Sequence, residues 1–301
     1  MLTAVIPTRN RPVDLAKAVA SILAQTRLPD EFIIVDQSPN DESRSVVESL
    51  WPRESQIKLN YIHDISISGL VEAKKIAASR ASGDIICFLE DDISLEADYI
   101  ELIELGFIEL PEMLGCCGLI TNPPHQPPGY TELFHIFHRG IFKDIRVGLY
   151  GRLEKHADKL IVSDKLSGGL SAWRREVFAA IPFDVSNGFH MFEDIDFSTR
   201  VASHFGPCLY INPNARLEHH CSPTNREILG PRQRRKLIEC IVYYKKRRNC
   251  PWATFSLSWL LLGMLIESLF QSYLSRSFGP VHGYFCGLRD GLAKRVIYSQ
   301  M

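Results

Sequence analysis

Three consecutive acidic residues, Glu90, Asp91 and Asp92, directly follow an apolar stretch at residues 85–89. Carboxylates gathered at the end of a buried strand repel one another, and burying them is costly unless a cation lies between them. Mg²⁺ or Mn²⁺ is the natural partner, because these ions prefer oxygen ligands and commonly share their ligand shell with phosphate oxygens. The alternative is a solvated acidic turn, which the preceding apolar stretch disfavours. The triplet therefore predicts a divalent metal site.

A second acidic cluster, formed by Glu193, Asp194 and Asp196, opens a predicted helix at residues 193–204. Asp194 could act as a general base that takes a proton from a substrate, or it could help to bind a metal. The cluster also has a structural alternative, because the helix dipole stabilises acidic residues in the first turn. Asp196 and Arg200 are spaced to form an ion pair one turn apart. The pattern alone leaves these interpretations open.

Two smaller features could complete a site. The adjacent His219 and His220 offer a metal ligand or a contact to a diphosphate, or else form a structural pair in a loop. Gly168 and Gly169 form either a hairpin turn or a loop that lets a ligand approach the backbone closely. The sequence contains no P-loop, no G-x-G-x-x-G motif and no nucleophile elbow.

Apolar strands alternate with amphipathic helices before the first acidic cluster. Strands are predicted at residues 3–6, 32–35, 59–62 and 85–89, with helices between them. This alternation predicts an α/β fold with a mostly parallel central sheet flanked by helices. Because such sheets bind ligands at the carboxyl ends of their strands, Asp36 and the acidic triplet are expected to share one rim. Residues 121–165 are predicted to be a long loop that orders when substrate binds.

Composition limits the expected location and partners. The formal net charge of the 301 residues is −1, which gives no sign of a nucleic-acid partner. None of the eight cysteines forms a C-x-x-C pair, as is typical of reduced thiols in a cytosolic protein. The N-terminus lacks the features of a signal peptide, so the main domain is expected to stay in the cytoplasm.

The composition changes after residue 225, which predicts a main domain at 1–225 and a C-terminal basic and hydrophobic helical region at 226–301. Lysines and arginines crowd residues 232–248, and an apolar run follows at 252–266. That run is shorter than the roughly 20 residues of a spanning helix, and extending it would carry Glu267 into the bilayer. Basic residues beside an apolar helix favour the cytoplasmic face of an anionic membrane. The alternatives are an interfacial or re-entrant helix, a single span, and a helix buried in a soluble core or oligomer interface.

Five segments, in order, resemble glycosyltransferase family 2. They are AVIPTRNR at 4–11, IIVDQS at 33–38, the glycine-led helix and EDD at 69–92, SGGL with WRREVF at 167–178, and FEDID with an arginine at 192–200. The third segment resembles the D-x-D-type metal motif of the family, and the fifth resembles the motif that holds its catalytic base. The resemblance covers roughly residues 1–225. It implies a Rossmann-like, GT-A-type fold for nucleotide-diphospho-sugar transferases, and a metal-dependent enzyme that inverts the anomeric carbon.

The resemblance also implies roles for individual residues. Binding of the nucleotide-diphosphate sugar is implied for Pro7, Thr8, Arg9, Asp36, Lys74 and Asp91. The acceptor side is implied for Gly168, Gly169, Trp173 and Glu193. Asp194 is the implied catalytic base. The implied ligands of Mg²⁺ or Mn²⁺ are Asp92 first, then Glu90 and either His219 or His220.

The chain departs from the family pattern at two of these positions. Glu90 stands where the family often has Asp, and its longer side chain ranks it after Asp92 as a ligand. Lys74 stands where the family usually has Arg, so the positive charge is kept but the two-pronged hydrogen bonding is lost.

The C-terminal region bears on the acceptor. Membrane contact would fit a polysaccharide or lipid-linked glycan as acceptor, with the enzyme at the cytoplasmic face of the cell membrane. Two alternatives remain. A nucleotidyltransferase that makes nucleotide sugars would usually carry a glycine-rich first loop, which is missing here. A non-catalytic nucleotide-sugar-binding membrane module would need no base.

Overall fold

The computed structural model describes residues 1–123, 136–137, 159–224, 228–247, 250 and 252–297, and it divides the chain into two compact units. The sheet unit comprises Met1–Pro123, Ile145–Phe183 and Phe197–Asn225. The helical unit comprises Pro124–Asp144, Asp184–Asp196 and Arg226–Met301. The helical unit thus includes Asp194 in addition to the region after residue 225. The loop predicted at 121–165 lies largely outside the described residues, although its last part contains a strand.

Within the described residues, the sheet unit is built on a nine-stranded sheet. Its strands are β1 (Leu2–Thr8), β2 (Glu31–Asp36), β3 (Lys58–His63), β4 (Ile85–Leu89), β5 (Ile93–Leu95), β6 (Gly115–Ile120), β7 (Ile161–Ser163), β8 (Leu170–Arg174) and β9 (Leu209–His219). Their order is β3-β2-β1-β4-β8-β6-β9-β5, with β7 paired to β9. Strands β3, β2, β1 and β4 are parallel, and β8 joins them antiparallel to β4. The predicted α/β sheet flanked by helices is confirmed.

The inner parallel strands β1, β2 and β4 are apolar because both faces of the sheet are covered there, whereas the edge strand β3 is partly exposed. Every residue of β1, β2 and β4 is buried. The helices of this part are α1 (Pro12–Leu23), α2 (Glu42–Leu50), α3 (Leu70–Arg80) and α4 (Tyr99–Glu109). Pro12 suits the start of α1, where its missing N–H leaves no helical hydrogen bond unmade. Since β1, β2 and β4 run in the same direction, the residues that follow them share one edge of the sheet.

Strand β9 is longer than the short strand predicted at 209–211, and it includes His219, whereas His220 lies just beyond it. His219 is the last residue of β9. The end of β9 pairs antiparallel with β5, where Ile93 lies opposite His219. Because β5 begins directly after the acidic triplet, this pairing sets His219 beside the triplet.

Two further helices follow β8, namely α5 (Glu176–Ala180) and α6 (Glu193–Phe205). Helix α6 carries the second acidic cluster in its first turn, as the sequence predicts. The division between the two units falls within this helix, after Asp196.

The helical unit contains α7 (Leu229–Lys246), α8 (Ala253–Ser275) and α9 (Gly279–Ala293). Helices α7 and α9 approach so closely that their backbones touch. A Cβ on Gly283 would lie 2.1 Å from the Gly230 carbonyl oxygen, and one on Gly287 would lie 2.6 Å from the Arg234 carbonyl oxygen. Small residues permit this packing, which a larger side chain at either position would prevent. The predicted C-terminal helical extension is therefore a packed helical bundle.

Candidate active site

Three potential metal ligands lie together after the carboxyl end of β4. Glu90, Asp92 and His219 each offer one ligand atom, and these atoms all lie within 4.8 Å of one another. His219 Nε2 lies 2.9 Å from Glu90 Oε2 and 3.2 Å from Asp92 Oδ1. Asp92 is buried, whereas 35% of the Glu90 side chain is exposed. The group thus has a fixed, buried side and a side that faces solvent.

The structure distinguishes the two candidate histidines. The His219 ring reaches Glu90 and Asp92, whereas His220 Nε2 lies 2.8 Å from Ser94 Oγ. The His220 backbone N–H donates to the Asp92 carbonyl oxygen at 2.8 Å. Consecutive residues at the end of a strand point to opposite sides, so adjacent histidines do not both face the triplet. His219 is therefore the histidine of the group.

The charges of this group fit a divalent cation. Burial opposes protonation of His219, but the Asp92 and Glu90 carboxylates outweigh it and raise the pKa of His219 to about 10. Burial would raise the pKa of Asp92, but His219 and the Ser222 N–H lower it to about 2. The Glu90 and Asp92 carboxylates therefore stabilise a positive charge at the position of His219 Nε2. Although Nε2 is buried and close to both carboxylates, it is aligned for a hydrogen bond with neither. A metal ion could take the place of the imidazole proton, because imidazole and carboxylate together form a normal ligand set for Mn²⁺.

Asp91 points to a different set of partners. It is buried and accepts hydrogen bonds from Thr8 Oγ1 at 2.8 Å and from Arg11 Nη1 at 2.9 Å. Burial raises the pKa of Asp91 to about 6, although Arg11 opposes the rise. Arg11 also lies 3.7 Å from Asp92 Oδ2 and donates to the Thr224 carbonyl oxygen. Asp91 thus ties the acidic triplet to the turn after β1.

Arg11 is a site residue that the sequence analysis does not single out. It is the second arginine of the turn Thr8–Arg11, which follows β1 at the sheet edge. Its position in the sequence could have identified Arg11, because β1 and β4 are parallel neighbours and a cation in the turn after β1 lies beside the carboxylates that follow β4.

Asp36 and the acidic triplet lie on the same rim of the sheet, as predicted. Asp36 pairs in register with Thr8, whose hydroxyl contacts Asp91. The Asp36 carboxylate accepts a hydrogen bond from Tyr61 OH at 2.6 Å and one from the Ser38 N–H at 2.8 Å. Thr8 therefore connects the end of β2 with the residues after β4.

The side chains around this rim differ in exposure. Pro7 is a buried strand residue opposite Val35, whereas Arg9 is exposed in the turn that follows. Arg9 is thus more exposed than Arg11, the other cation of this turn.

The Gly168–Gly169 turn lies against the acidic triplet. Lys74 is buried and donates from Nζ to the Gly168 carbonyl oxygen at 2.9 Å. The Glu90 N–H donates to the Gly169 carbonyl oxygen at 2.8 Å. A Cβ at Gly169 would lie 2.1 Å from Glu90 Cγ, so only glycine leaves room for the Glu90 side chain here. Lys74 and the glycines thus shape the surroundings of Glu90.

Trp173 and the second acidic cluster occupy different surroundings. Trp173 is buried in β8, where its indole N–H donates to Ser171 Oγ and its ring packs on Phe197. In the helical unit, Glu193 is buried, while Asp194 is partly exposed and accepts the Ile195 N–H at Oδ1. Trp173 anchors the strand that follows the glycine turn, and Asp194 is the more accessible carboxylate of the pair.

Comparison with a protein-family model gives a match over residues 3–178 to the family described as glycosyl transferase family 2. The matched region contains Asp36, the acidic triplet and the Gly168–Gly169 turn.

Curated relatives are similar over the N-terminal part of the chain. A validoxylamine A glucosyltransferase of Streptomyces hygroscopicus subsp. limoneus is 27% identical over 132 residues, which is 42% of this chain and 28% of that protein. The GalNAc(5)-diNAcBac-PP-undecaprenol beta-1,3-glucosyltransferase of Campylobacter jejuni is 34% identical over 94 residues, which is 31% of this chain and 30% of that protein. The matches span less than a third of these relatives.

Solved structures share the fold over most of the chain. The mannosyltransferase PcManGT of Pyrobaculum calidifontis, in complex with GDP-Man and Mn²⁺, has a TM-score of 0.60 at 13% identity and covers 97% of this chain and 84% of its own. S. aureus TarS 1–349 has a TM-score of 0.60 at 12% identity and covers 90% of this chain and 74% of its own. At these identities the likeness shows a common GT-A-type fold.

Proposed function

Because this chain belongs to glycosyltransferase family 2, we propose that it moves a sugar from a nucleotide-diphosphate donor to a hydroxyl group of an acceptor. The observation that carries the proposal is the group of Glu90, Asp92 and His219, on the rim that also holds Asp36. A nucleotide-diphosphate sugar needs a cation for its diphosphate and a place for its nucleoside. Membership in the family also favours sugar transfer over nucleotidyl transfer.

In this proposal two residues that follow β4 and the last residue of β9 would hold Mg²⁺ or Mn²⁺. Asp92, His219 and Glu90 supply the ligands, and the metal, when bound, stabilises the negative charge of the departing diphosphate. The structurally similar mannosyltransferase is in complex with GDP-Man and Mn²⁺, which supports Mn²⁺ as the first ion to test. Arg11 keeps Asp91 and Asp92 in place and adds positive charge at their side.

The nucleoside would bind near the ends of β1 and β2. Asp36 is oriented by Tyr61 and the Ser38 N–H. Thr8 and the exposed Arg9 lie on the same rim, and Arg9 would contact the bound nucleotide. Pro7 fixes the backbone that leads into this turn. Lys74 would act indirectly, since its Nζ supports the Gly168 carbonyl oxygen.

We assign the general base to Asp194, with Glu193 beside it. Asp194 would take the proton from the acceptor hydroxyl as that oxygen bonds to the anomeric carbon. The bond from the anomeric carbon to the diphosphate oxygen breaks in the same displacement, and the nucleoside diphosphate leaves with the bonding electrons. A single displacement inverts the anomeric centre. Gly168, Gly169 and Trp173 belong to the segment that we assign to the acceptor side.

The helical unit would attach the enzyme to a membrane surface. Helix α8 is long and apolar enough to cross a membrane, but 33% of its most apolar window is buried within the protein. One stripe of α8 is exposed and apolar, formed by Phe255, Leu262, Leu269 and Tyr273.

The opposite face of α8 is not available to lipid. It is buried, and Glu267 pairs with Lys236 of α7 at 2.8 Å. A span would carry this ion pair into the bilayer, whereas a helix lying in the interface buries only the apolar stripe. We therefore favour the interfacial arrangement, on the cytoplasmic face where nucleotide sugars are made. An acceptor that is a lipid-linked glycan would fit this location, as the name of the Campylobacter relative describes for that protein.

The proposal is tested by nucleotide binding. Thermal unfolding of the full chain would be followed with UDP, GDP and their sugars, with and without Mn²⁺, because a ligand that binds only the folded state raises its stability. We expect one nucleotide to stabilise the wild type in a Mn²⁺-dependent manner, and Asp92→Asn to lose that dependence. Glu218→Gln is the matched control, since Glu218 precedes His219 on β9 and is exposed. Equal Mn²⁺-dependent stabilisation in Asp92→Asn and the wild type would overturn the metal assignment.

A further inference from the structure

A buried carboxylate on α7 holds the backbone directly before the second acidic cluster. Glu239 Oε2 accepts hydrogen bonds from three consecutive backbone N–H groups, those of His190 at 3.0 Å, Met191 at 2.7 Å and Phe192 at 2.9 Å. Glu239 is 3% exposed. Burial raises the pKa of Glu239, and the three N–H groups oppose that rise because their hydrogen bonds stabilise the carboxylate form. The entrance to α6 is thus fixed from α7.

A lysine two turns further along α7 holds the other side of the same segment. Lys246 Nζ lies 2.6 Å from Asp184 Oδ2 and 2.8 Å from Asp196 Oδ1. The two carboxylates are nearly inaccessible, with side-chain exposures of 3% and 1%. Asp196 lies in the first turn of α6, only two residues after Asp194. Residues on both sides of Asp194 are therefore held by a single helix.

The chemistry of these contacts is unusual for a helix whose only task is attachment to a membrane. Burying a carboxylate and an ammonium is costly, and apolar residues would stabilise the packing more simply. The cost is offset here by hydrogen bonds to a backbone segment of fixed shape. Such a segment matters most where a neighbouring side chain must be placed accurately, since a general base works only within hydrogen-bonding distance of its proton.

We propose that Glu239 and Lys246 are positioning residues for Asp194, and that these two side chains of α7 are for this reason needed for the rate of sugar transfer. The inference rests on the proposed role of Asp194 as base. The part of the chain that catalysis requires then extends beyond residue 225, because Glu239 and Lys246 lie on α7. A truncation near residue 226 would consequently remove catalytic function together with any membrane attachment.

The experiment compares single variants of the full chain. Glu239→Gln removes the negative charge that accepts the three backbone hydrogen bonds. Lys246→Met removes the cation between Asp184 and Asp196. Lys236→Met is the matched control, because it breaks an ion pair of the same length on the same helix, away from the acidic cluster. Lys246→Arg tests rescue, since arginine keeps the charge and can contact both carboxylates.

Two measurements are needed on each variant. Hydrogen exchange of the peptide that spans residues 186–197 reports whether the N–H groups of 190–192 are held. Steady-state kinetics with donor and acceptor report kcat and the donor KM separately. We expect Glu239→Gln and Lys246→Met to speed exchange at 190–192 and to lower kcat by about 10- to 100-fold, the loss typical of a misplaced catalytic group. The donor KM should stay within about twofold, because the donor site lacks these residues.

The outcomes separate the two proposals. Loss of transfer in Asp194→Asn with unchanged kcat in Glu239→Gln and Lys246→Met would overturn the positioning role and leave the base role standing. Full activity in Asp194→Asn would overturn the base role itself. If the variants fail to fold, hydrogen exchange of the wild type still tests the inference. Rapid exchange of the N–H groups of residues 190–192 in the native protein would show that Glu239 does not hold them, and would overturn the positioning role. Similar kinetic losses in Lys236→Met would also count against the inference.

Discussion

A methyl group added at Gly169 tests how Glu90 contributes to the metal site. In Gly169→Ala, the new Cβ would lie 2.1 Å from Glu90 Cγ and 2.2 Å from Cδ and Oε1. Because carbon atoms pack at about 3.5–4.0 Å, the Glu90 side chain must retreat by more than about 1 Å. That movement breaks the 2.9 Å approach of Glu90 Oε2 to His219 Nε2. Only Asp92 and His219 of the three potential ligands then remain close together.

The cost should appear in metal binding more than in folding. Since 35% of the Glu90 side chain is exposed, it can swing into solvent, and the free energy of unfolding should change by less than about 1 kcal/mol. Displacing one ligand should weaken Mn²⁺ binding by about 10- to 100-fold. Calorimetric titration of Mn²⁺ into the nucleotide complex measures the affinity, and urea unfolding measures the stability.

A double-mutant cycle shows whether the effect passes through Glu90. Glu90→Ala removes the atoms that the new methyl group would meet, so adding Gly169→Ala to it should cost little further affinity. Strictly additive losses in the two variants would refute the reasoning, as would unchanged Mn²⁺ affinity in Gly169→Ala alone.

Three other perturbations have defined outcomes. Leu269→Glu, on the exposed stripe of α8, should reduce flotation with phosphatidylglycerol-containing vesicles. Ile108→Glu, which changes an exposed apolar residue of the sheet unit, should leave flotation unchanged. Equal flotation of the two variants would contradict interfacial binding. Gly287→Leu should lower the free energy of unfolding by about 1–3 kcal/mol in urea titration, because its side chain meets the α7 backbone; unchanged stability would show that the helices can separate freely. Burial would raise the pKa of Asp184, but Lys246 lowers it below the ordinary 3.8. The ion pair of Asp184 and Lys246 therefore stabilises the folded protein above about pH 4, and this contribution is lost as the pH falls through the pKa that Asp184 has in the folded state. Lys246→Met should therefore flatten the loss of stability below about pH 4, as measured by urea unfolding across pH.

Much of the sheet unit can be predicted from local sequence. The apolar runs of β1, β2 and β4 mark buried parallel strands, because a strand covered on both faces has no polar side. The positions of Asp36 and Asp92 at strand ends then place both on one rim without further information. The helical character of residues 193–204 and of the C-terminal region follows equally from periodicity and composition.

The partners of these residues cannot be predicted in the same way. His219 joins Asp92 only because β9 pairs with β5, whereas the sequence leaves open whether the two histidines are ligands or a structural pair in a loop. The choice of His219 over His220 depends on the register of that pairing. Glu90 is ranked second by its length, yet the absence of a side chain at Gly169 gives it the room to join the group.

The same limit applies to α7, where composition alone indicates a basic helix near a membrane. Only the folded chain brings Glu239 to the N–H groups before α6, and Lys246 between Asp184 and Asp196. Local patterns of polarity determine which segments become strands and helices, because burial of a face depends on neighbours along the chain. Strand register and helix packing bring together side chains that are distant in sequence. The sequence by itself therefore determined the kind of chemistry and the sheet that carries it, and the tertiary structure decided which side chains meet.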